Sequence, residues 1–155
     1  MAGNASLTEL GEPALKIAGF QLWIHGREFP DAIDLYDGNW LRITAHCGAI
    51  GASIWVQGAI LTILDIERFQ SQCQGLMNET VGLASLDSFE PELKVAIEPV
   101  DRLGHMRVRV EITPDHLSQS HRLDFEIDRS HLPAIEKACS AIVATYPIRG
   151  RGDTG

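Results

Sequence analysis

Apolar and polar residues alternate along most of this chain, and at two places the alternation gives way to helical spacing. From Leu15 to Ile24 the apolar positions Leu15, Ile17, Phe20, Leu22 and Ile24 share one side, with a one-step change of phase at Ala18-Gly19. That pattern predicts one bent strand or a tight pair. Trp40 to Cys47 sets Leu41, Ile43, Ala45 and Cys47 against Trp40, Arg42, Thr44 and His46, and Ala52 to Val56 sets Ala52, Ile54 and Val56 against Ser53, Trp55 and Gln57. Both read as strands, with Gly48, Gly51 and Gly58 marking turns. Thr62, followed three residues later by Asp65, predicts a capped helix start, and Ile63, Ile66, Phe69, Cys73, Leu76 and Met77 recur at helical spacing over Ile63 to Asn78.

Four more strands are predicted over Val81–Leu86, Leu93–Glu98, His105–Ile112 and Arg122–Ile127. The last two alternate cleanly and should pair as an antiparallel hairpin across the polar Thr113–Ser120 loop, whereas Asp101–Gly104 makes a short turn before them. Ser130 is placed to cap a second helix with Pro133 near its start and Leu132, Ile135, Cys139, Ile142, Val143 and Tyr146 along one stripe, ended by Pro147. Strands, helix, strands, helix, with no βαβ alternation, predict an α+β domain: a largely antiparallel sheet of about six to seven strands with two helices packed on one face. The two strand-then-helix halves echo each other. One domain over residues 13–147 is expected, between a small, polar N-terminus (1–12) and a glycine-rich tail (148–155), both frayed.

Composition narrows the class without naming an activity. At 155 residues and 45% hydrophobic, the chain can build a full core without metals or disulfides. Thirteen basic against 21 acidic residues give a net charge of −8, a sign that repels phosphate backbones and argues against nucleic acid as a direct ligand. Cys47, Cys73 and Cys139 show no Cys-x-x-Cys spacing and are expected as free thiols in a reducing cytosol. No basic, apolar leader and no membrane-length apolar run is present, so a cytoplasmic location and no membrane partner are expected.

Candidate chemistry is sparse. The six histidines, His25, His46, His105, His116, His121 and His131, make no His-x-His or Glu-x-x-His pair, so no metal is expected. His46 and Cys47 point to opposite faces of a strand and cannot act as base and nucleophile. Asp31, Asp34 and Asp37 precede Gly38, but Arg42 stands where a calcium loop needs its glutamate, which favours aspartates capping a solvated turn. Arg151-Gly152-Asp153 is a three-residue coincidence. Alternation places Trp23, Trp40 and Trp55 opposite the aliphatic side, with Gln21, His25, Arg42, Thr44, His46, Ser53 and Gln57. The indoles either fill a second small core under a loop or terminus, or form a recognition face. Acid is concentrated over Glu28–Leu41 and over Asp87–Asp101, where five acids face only Lys94. Such a rim either steers a basic partner or serves solubility.

Phe29-Pro30 followed by Tyr36-Asp37-Gly38-Asn39-Trp40-Leu41, the Leu61-Thr62 step before the first helix, and Phe89-Glu90-Pro91-Glu92-Leu93 together resemble the motifs of the bacterial WapI-type immunity proteins, over about residues 14 to 147. The last motif is one residue tighter than the family pattern, and the histidines are not part of it. The resemblance implies a cytosolic, non-enzymatic protein without cofactors that binds and neutralises the toxic C-terminal domain of a contact-dependent growth-inhibition toxin, often a nuclease. Toxins acting on a polyanion are usually basic, which an acidic inhibitor complements. No catalytic residue is carried over. Within the motif, Asn39 is suited to bond its own turn and Trp40 to anchor the next strand.

Three readings follow. In the first, an immunity protein occludes its toxin through Trp23, Trp40, Trp55, Asp31, Asp34 and Asp37. The second is a small-ligand-binding domain or enzyme with a pocket at His25, His46 and Arg42; a deep concavity reaching the Thr113–Ser120 loop and holding both imidazoles would favour it. A third is an assembly module, a homodimer through the same face.

Overall fold

The computed structural model describes residues 7–151. After a short helix α1 (Leu7–Leu10), the chain forms β1 (Leu15–Ile17), β2 (Phe20–Arg27), β3 (Trp40–Ala49), β4 (Ala52–Thr62) and helix α2 (Ile63–Met77). It then repeats the plan with β5 (Ala84–Asp87), β6 (Leu93–Pro99), β7 (His105–Ile112), β8 (Arg122–Asp128) and helix α3 (Leu132–Thr145). The fold is α+β and antiparallel, but the single sheet expected from the alternation is two four-stranded meanders, β1-β2-β3-β4 and β5-β6-β7-β8. The break has a local cause. β4 passes directly into α2 at Thr62, so no hairpin turn offers β4 a fifth partner, and pairing restarts between β5 and β6.

Several junctions show why. The phase change at Ala18-Gly19 is a hairpin turn: Ala18 adopts φ 52°, Gly48 N–H donates to Gly19 O at 3.0 Å, and a Cβ on Gly19 would strike the Gly48 carbonyl and the Phe125 ring. At the start of α2 the capping box forms as predicted, with Thr62 N–H donating to Asp65 Oδ2 at 2.8 Å and Asp65 N–H to Thr62 Oγ1 at 3.2 Å. Val81 does not open a strand. Its N–H and that of Thr80 bond Gly75 O at 3.4 and 2.8 Å and close the end of α2, so β5 begins at Ala84. Nor does Ser130 cap α3. Arg129 N–H bonds Gly104 O at 2.8 Å, a 3-10 turn spans Arg129–His131, and α3 begins one turn later.

The inner faces of both sheets and one stripe of each helix make a single core, with Phe20, Leu22, Ile43 and Val56 from the first half, Val95, Ile97, Val108 and Val110 from the second, and Ile66, Phe69, Ile135 and Ile142 from the helices. α2 and α3 pack on each other, α2 beside β5 and α3 beside β1, so the helices tie the two halves together. The three cysteines are free and buried, and burial raises their thiols, Cys47 to about 11 and Cys73 to about 12. They act as small apolar residues.

The expected tail needs correction over residues 148–151. Ile148 packs against the core and Arg149 is hydrogen-bonded to the 30–39 loop, which supplies carbonyls for its guanidinium and a buried amide for its backbone. Gly152 and Asp153 lie outside the described residues.

Candidate partner-binding surfaces

Register places Gln21, His46 and Trp55 in one cross-strand row on the outer face of the first sheet, and Trp23, Thr44 and Gln57 in the next. The alternation thus reads correctly, yet the face is filled by its own contacts. Trp23 and Trp55 stack at 6.0 Å and His46 tilts against Trp55 at 4.2 Å. His46 Nδ1 lies 3.1 Å from Gln21 Oε1 and Nε2 lies 2.8 Å from Ser53 Oγ. A neutral ring protonated at Nδ1 satisfies both, donating to the amide and accepting from the hydroxyl. Burial accordingly lowers the His46 pKa.

Trp23 is only 4% exposed, and its indole N–H donates to Gly11 O at 3.0 Å beneath the segment that precedes β1. A buried indole that finds a carbonyl is part of a small second core, which is where the structure puts this ring. Trp40 stands apart. It pairs with Thr62, six positions along β3 from the His46–Trp55 row, which is about 20 Å at strand rise. The three tryptophans do not form one platform. His25, the extra residue of a bulge between Ile24 and Gly26, is exposed and 2.7 Å from Thr44 Oγ1; Arg42, beside a second bulge, is exposed.

The β2–β3 connection, residues 28–39, holds the other predicted group. Asp31, Asp34 and Asp37 are all exposed. Asp34 Oδ2 accepts from Asp37 N–H at 3.0 Å, which holds the Asp34 carboxyl below its ordinary pKa. Gly38 N–H donates to Asp34 O at 3.1 Å and Ala32 N–H to Phe29 O at 3.1 Å. Between the aspartates the loop turns apolar side chains outward: Ile33 is 81% exposed and Tyr36 79%, with Phe29 and Leu35 less so. Sequence reasoning picked out the carboxylates and passed over these exposed apolar side chains. Their signal was present as bulky apolar residues interspersed with aspartates where no strand alternation accounts for them.

Three side chains fasten this loop. Asn39 is fully buried; its Nδ2 donates to Leu35 O at 2.7 Å and to Arg149 O at 3.0 Å, and its Oδ1 accepts from Arg149 N–H at 2.9 Å. Arg149 Nη1 donates to Pro30 O at 2.6 Å and Ala32 O at 2.8 Å. Arg27 donates to Gly38 O and to Pro147 O, and burial together with the neighbouring Arg149 charge lowers its pKa. Trp40 closes the base, where its carbonyl accepts from Glu28 N–H at 2.9 Å.

Two concavities border the Thr113–Ser120 loop. One, of about 770 Å³, lies against the second sheet and holds His116 and His121, with Phe89, 99% exposed, in its lining. The other, of about 360 Å³, runs along Trp55–Ile60 to Glu90, Glu92 and Pro114. Neither contains His25 or His46, so the pocket required by the small-ligand reading is not formed there. Among the described residues no group of three or more His, Cys, Asp or Glu is placed to hold a metal ion, and no helix is long and apolar enough to cross a membrane.

Comparison with known proteins places the chain in a family. The model of the immunity protein WapI-like family matches residues 14–147, spanning both meanders, both long helices and the fastened loop. The chain belongs to that family. No curated protein matches it. Similar solved structures include WHY1 from Arabidopsis thaliana, at 12% identity and TM-score 0.47 over 83% of this chain and 78% of that chain. The plant transcriptional regulator PBF-2 is similar at 10% identity and TM-score 0.46, over 82% and 75%. WHY3 from Arabidopsis thaliana is similar at 10% identity and TM-score 0.43, over 88% and 87%. These likenesses carry no functional argument, whereas family membership supports an immunity role and, with it, a toxin protein as partner.

Proposed function

We propose that this chain is a bacterial cytosolic immunity protein that neutralises the toxic domain of a contact-dependent growth-inhibition toxin by covering it, with the 28–39 loop as the centre of the contact. The observation that carries this reading is the loop itself: Ile33 and Tyr36 project beside three carboxylates from a backbone held by Asn39, Arg149 and Arg27. Apolar anchors ringed by charge are what hot spots and their rims are made of. A chain of net charge −8 favours a basic partner, and a nuclease-type toxin, which must grip a polyanion, has that charge. A stable interface needs about 800 Å² from each side. One loop is too small for that, so the contact extends beyond it onto other exposed surface.

Occlusion requires no chemistry from the inhibitor, and the buried His46, engaged on both ring nitrogens, offers none. The test is growth of cells expressing the toxin C-terminal domain encoded by the neighbouring gene, with and without this chain, and co-purification of the two. Wild-type chain should rescue growth and co-purify. Asp34→Arg should weaken both, and Glu126→Lys, the same kind of reversal on the second sheet, should not. Rescue that survives Asp34→Arg unchanged would place the contact elsewhere.

A further inference from the structure

The C-terminal segment reaches the loop after a separation of more than a hundred residues, and it does so with unusual completeness. Arg149 engages through its guanidinium, its N–H and its carbonyl, touching Pro30, Ala32 and both ends of the Asn39 amide. On one side Arg27 bridges Gly38 O and Pro147 O. On the other Arg151 Nη1 forks onto Glu67 of α2 at 2.7 and 2.9 Å, anchoring the far end of the segment to a helix. Between them Gly150, at φ +77°, lies so close to Asp34 and Leu35 that a Cβ there would collide with the Leu35 backbone. None of these groups is among the outward anchors. They hold the carbonyls behind Ile33 and Tyr36.

We infer that Arg149 is a positioning residue: it keeps residues 30–38 in one presented conformation before the toxin domain arrives, so that ordering the loop is not charged against binding. This rests on the loop being the toxin-binding surface. Twelve connecting residues would otherwise sample many conformations, and each residue fixed on binding carries an entropy cost. If only the latched conformation docks, the association rate scales with its population, and loosening the latch slows association. A residue that touched the partner directly would act mainly on dissociation. The two roles are therefore separable by kinetics.

The experiment uses the full chain and the toxin C-terminal domain of the neighbouring gene, inactivated for handling. Amide hydrogen exchange is measured over residues 30–38 in the free protein, and association and dissociation rates are measured by surface binding. Arg149→Ala should speed exchange at Ala32, Asp37 and Gly38 and slow association about tenfold, with dissociation changing by less than about threefold. The melting midpoint should shift by no more than a few degrees. Arg149→Lys, which keeps one cationic donor, should recover part of the association rate. Gly150→Ala, which retains the guanidinium but forces the segment off Leu35, should act in the same direction as Arg149→Ala. Unchanged exchange in both Arg149→Ala and Gly150→Ala overturns the inference, as does an effect confined to dissociation. Faster exchange with unaltered binding, while Asp34→Arg still weakens the complex, overturns it and leaves the docking loop standing. If Asp34→Arg has no effect either, the loop is not the binding surface and the inference falls with it.

Discussion

The two halves of the molecule join their second and third strands in opposite ways. Between β6 and β7 the chain turns within residues 100–104, where Asp101 accepts from Leu103 N–H at 2.8 Å and pairs with His105 Nδ1 at 2.6 Å. Between β2 and β3 the same step takes residues 28–39, a buried asparagine, two arginines and the C-terminal segment. Both steps close an antiparallel pair, so connection alone does not require the longer one. Length that the hairpin does not need, fastened by hydrogen bonds and carrying exposed apolar groups, is what the proposed docking role requires. The outer sheet faces diverge too. The first has an aromatic centre closed by its own hydrogen bonds, while the second is a charge ladder in which Arg107 meets Glu98 at 3.3 Å and Arg109 meets Asp124 at 3.0 Å.

The sharpest way to break that contrast is to give the first half the connection of the second. Replacing residues 28–39 with a five-residue turn should keep a cooperative melt yet reduce toxin-domain affinity more than a thousandfold, about 4 kcal/mol, measured by titration calorimetry. Retained affinity would mean that the loop only links strands. Next in size, Trp23→Ala should cost about 3 kcal/mol in urea unfolding, because it empties a buried site, while leaving affinity within about twofold. A large affinity loss in a folded Trp23→Ala protein would return the indole to the docking surface.

The two connections should also answer pH differently. The hydrogen bond that His105 donates to the Asp101 carboxylate raises the His105 pKa above 6.5 and lowers that of Asp101 below 3.8. The His105 contribution is complete below its unfolded value and lost as pH rises through the folded one, whereas that of Asp101 is complete above its unfolded value and lost as pH falls through the folded one. Asp34, lowered by the Asp37 N–H, gives the long loop only the acid limb. Between pH 6 and 8 the stability difference between wild type and Asp101→Asn should therefore shrink, and NMR titration should bring His105 back toward 6.5 in that variant. Smallest of all, Arg107→Ala on the charge ladder should change stability by no more than about 0.5 kcal/mol and leave affinity untouched, since exposed pairs are screened by water.

Much of this was legible residue by residue. The inward sets Leu41, Ile43, Ala45, Cys47 and Met106, Val108, Val110, Ile112 came from alternation alone, and the capping box from Thr62 and Asp65 alone. Of the candidate site, the three aspartates were legible and their neighbours Ile33 and Tyr36 were not, because an apolar residue outside a periodic element has no face assigned to it until the loop is built. Trp23 was assigned to the correct side of its strand, but nothing in β2 tells whether that side meets water or residue 11.

By itself, then, the chain determined its strands, its two long helices and which side of each is aliphatic, since those follow from periods of two and 3.6 between near neighbours. Tertiary structure alone decided that the strands form two sheets, that the N-terminal segment closes over Trp23, and that Arg149 fastens a loop 110 positions away at Asn39. Those outcomes depend on which polar groups meet once the core has collapsed, and hydrogen bonds across such separations leave no local pattern to read.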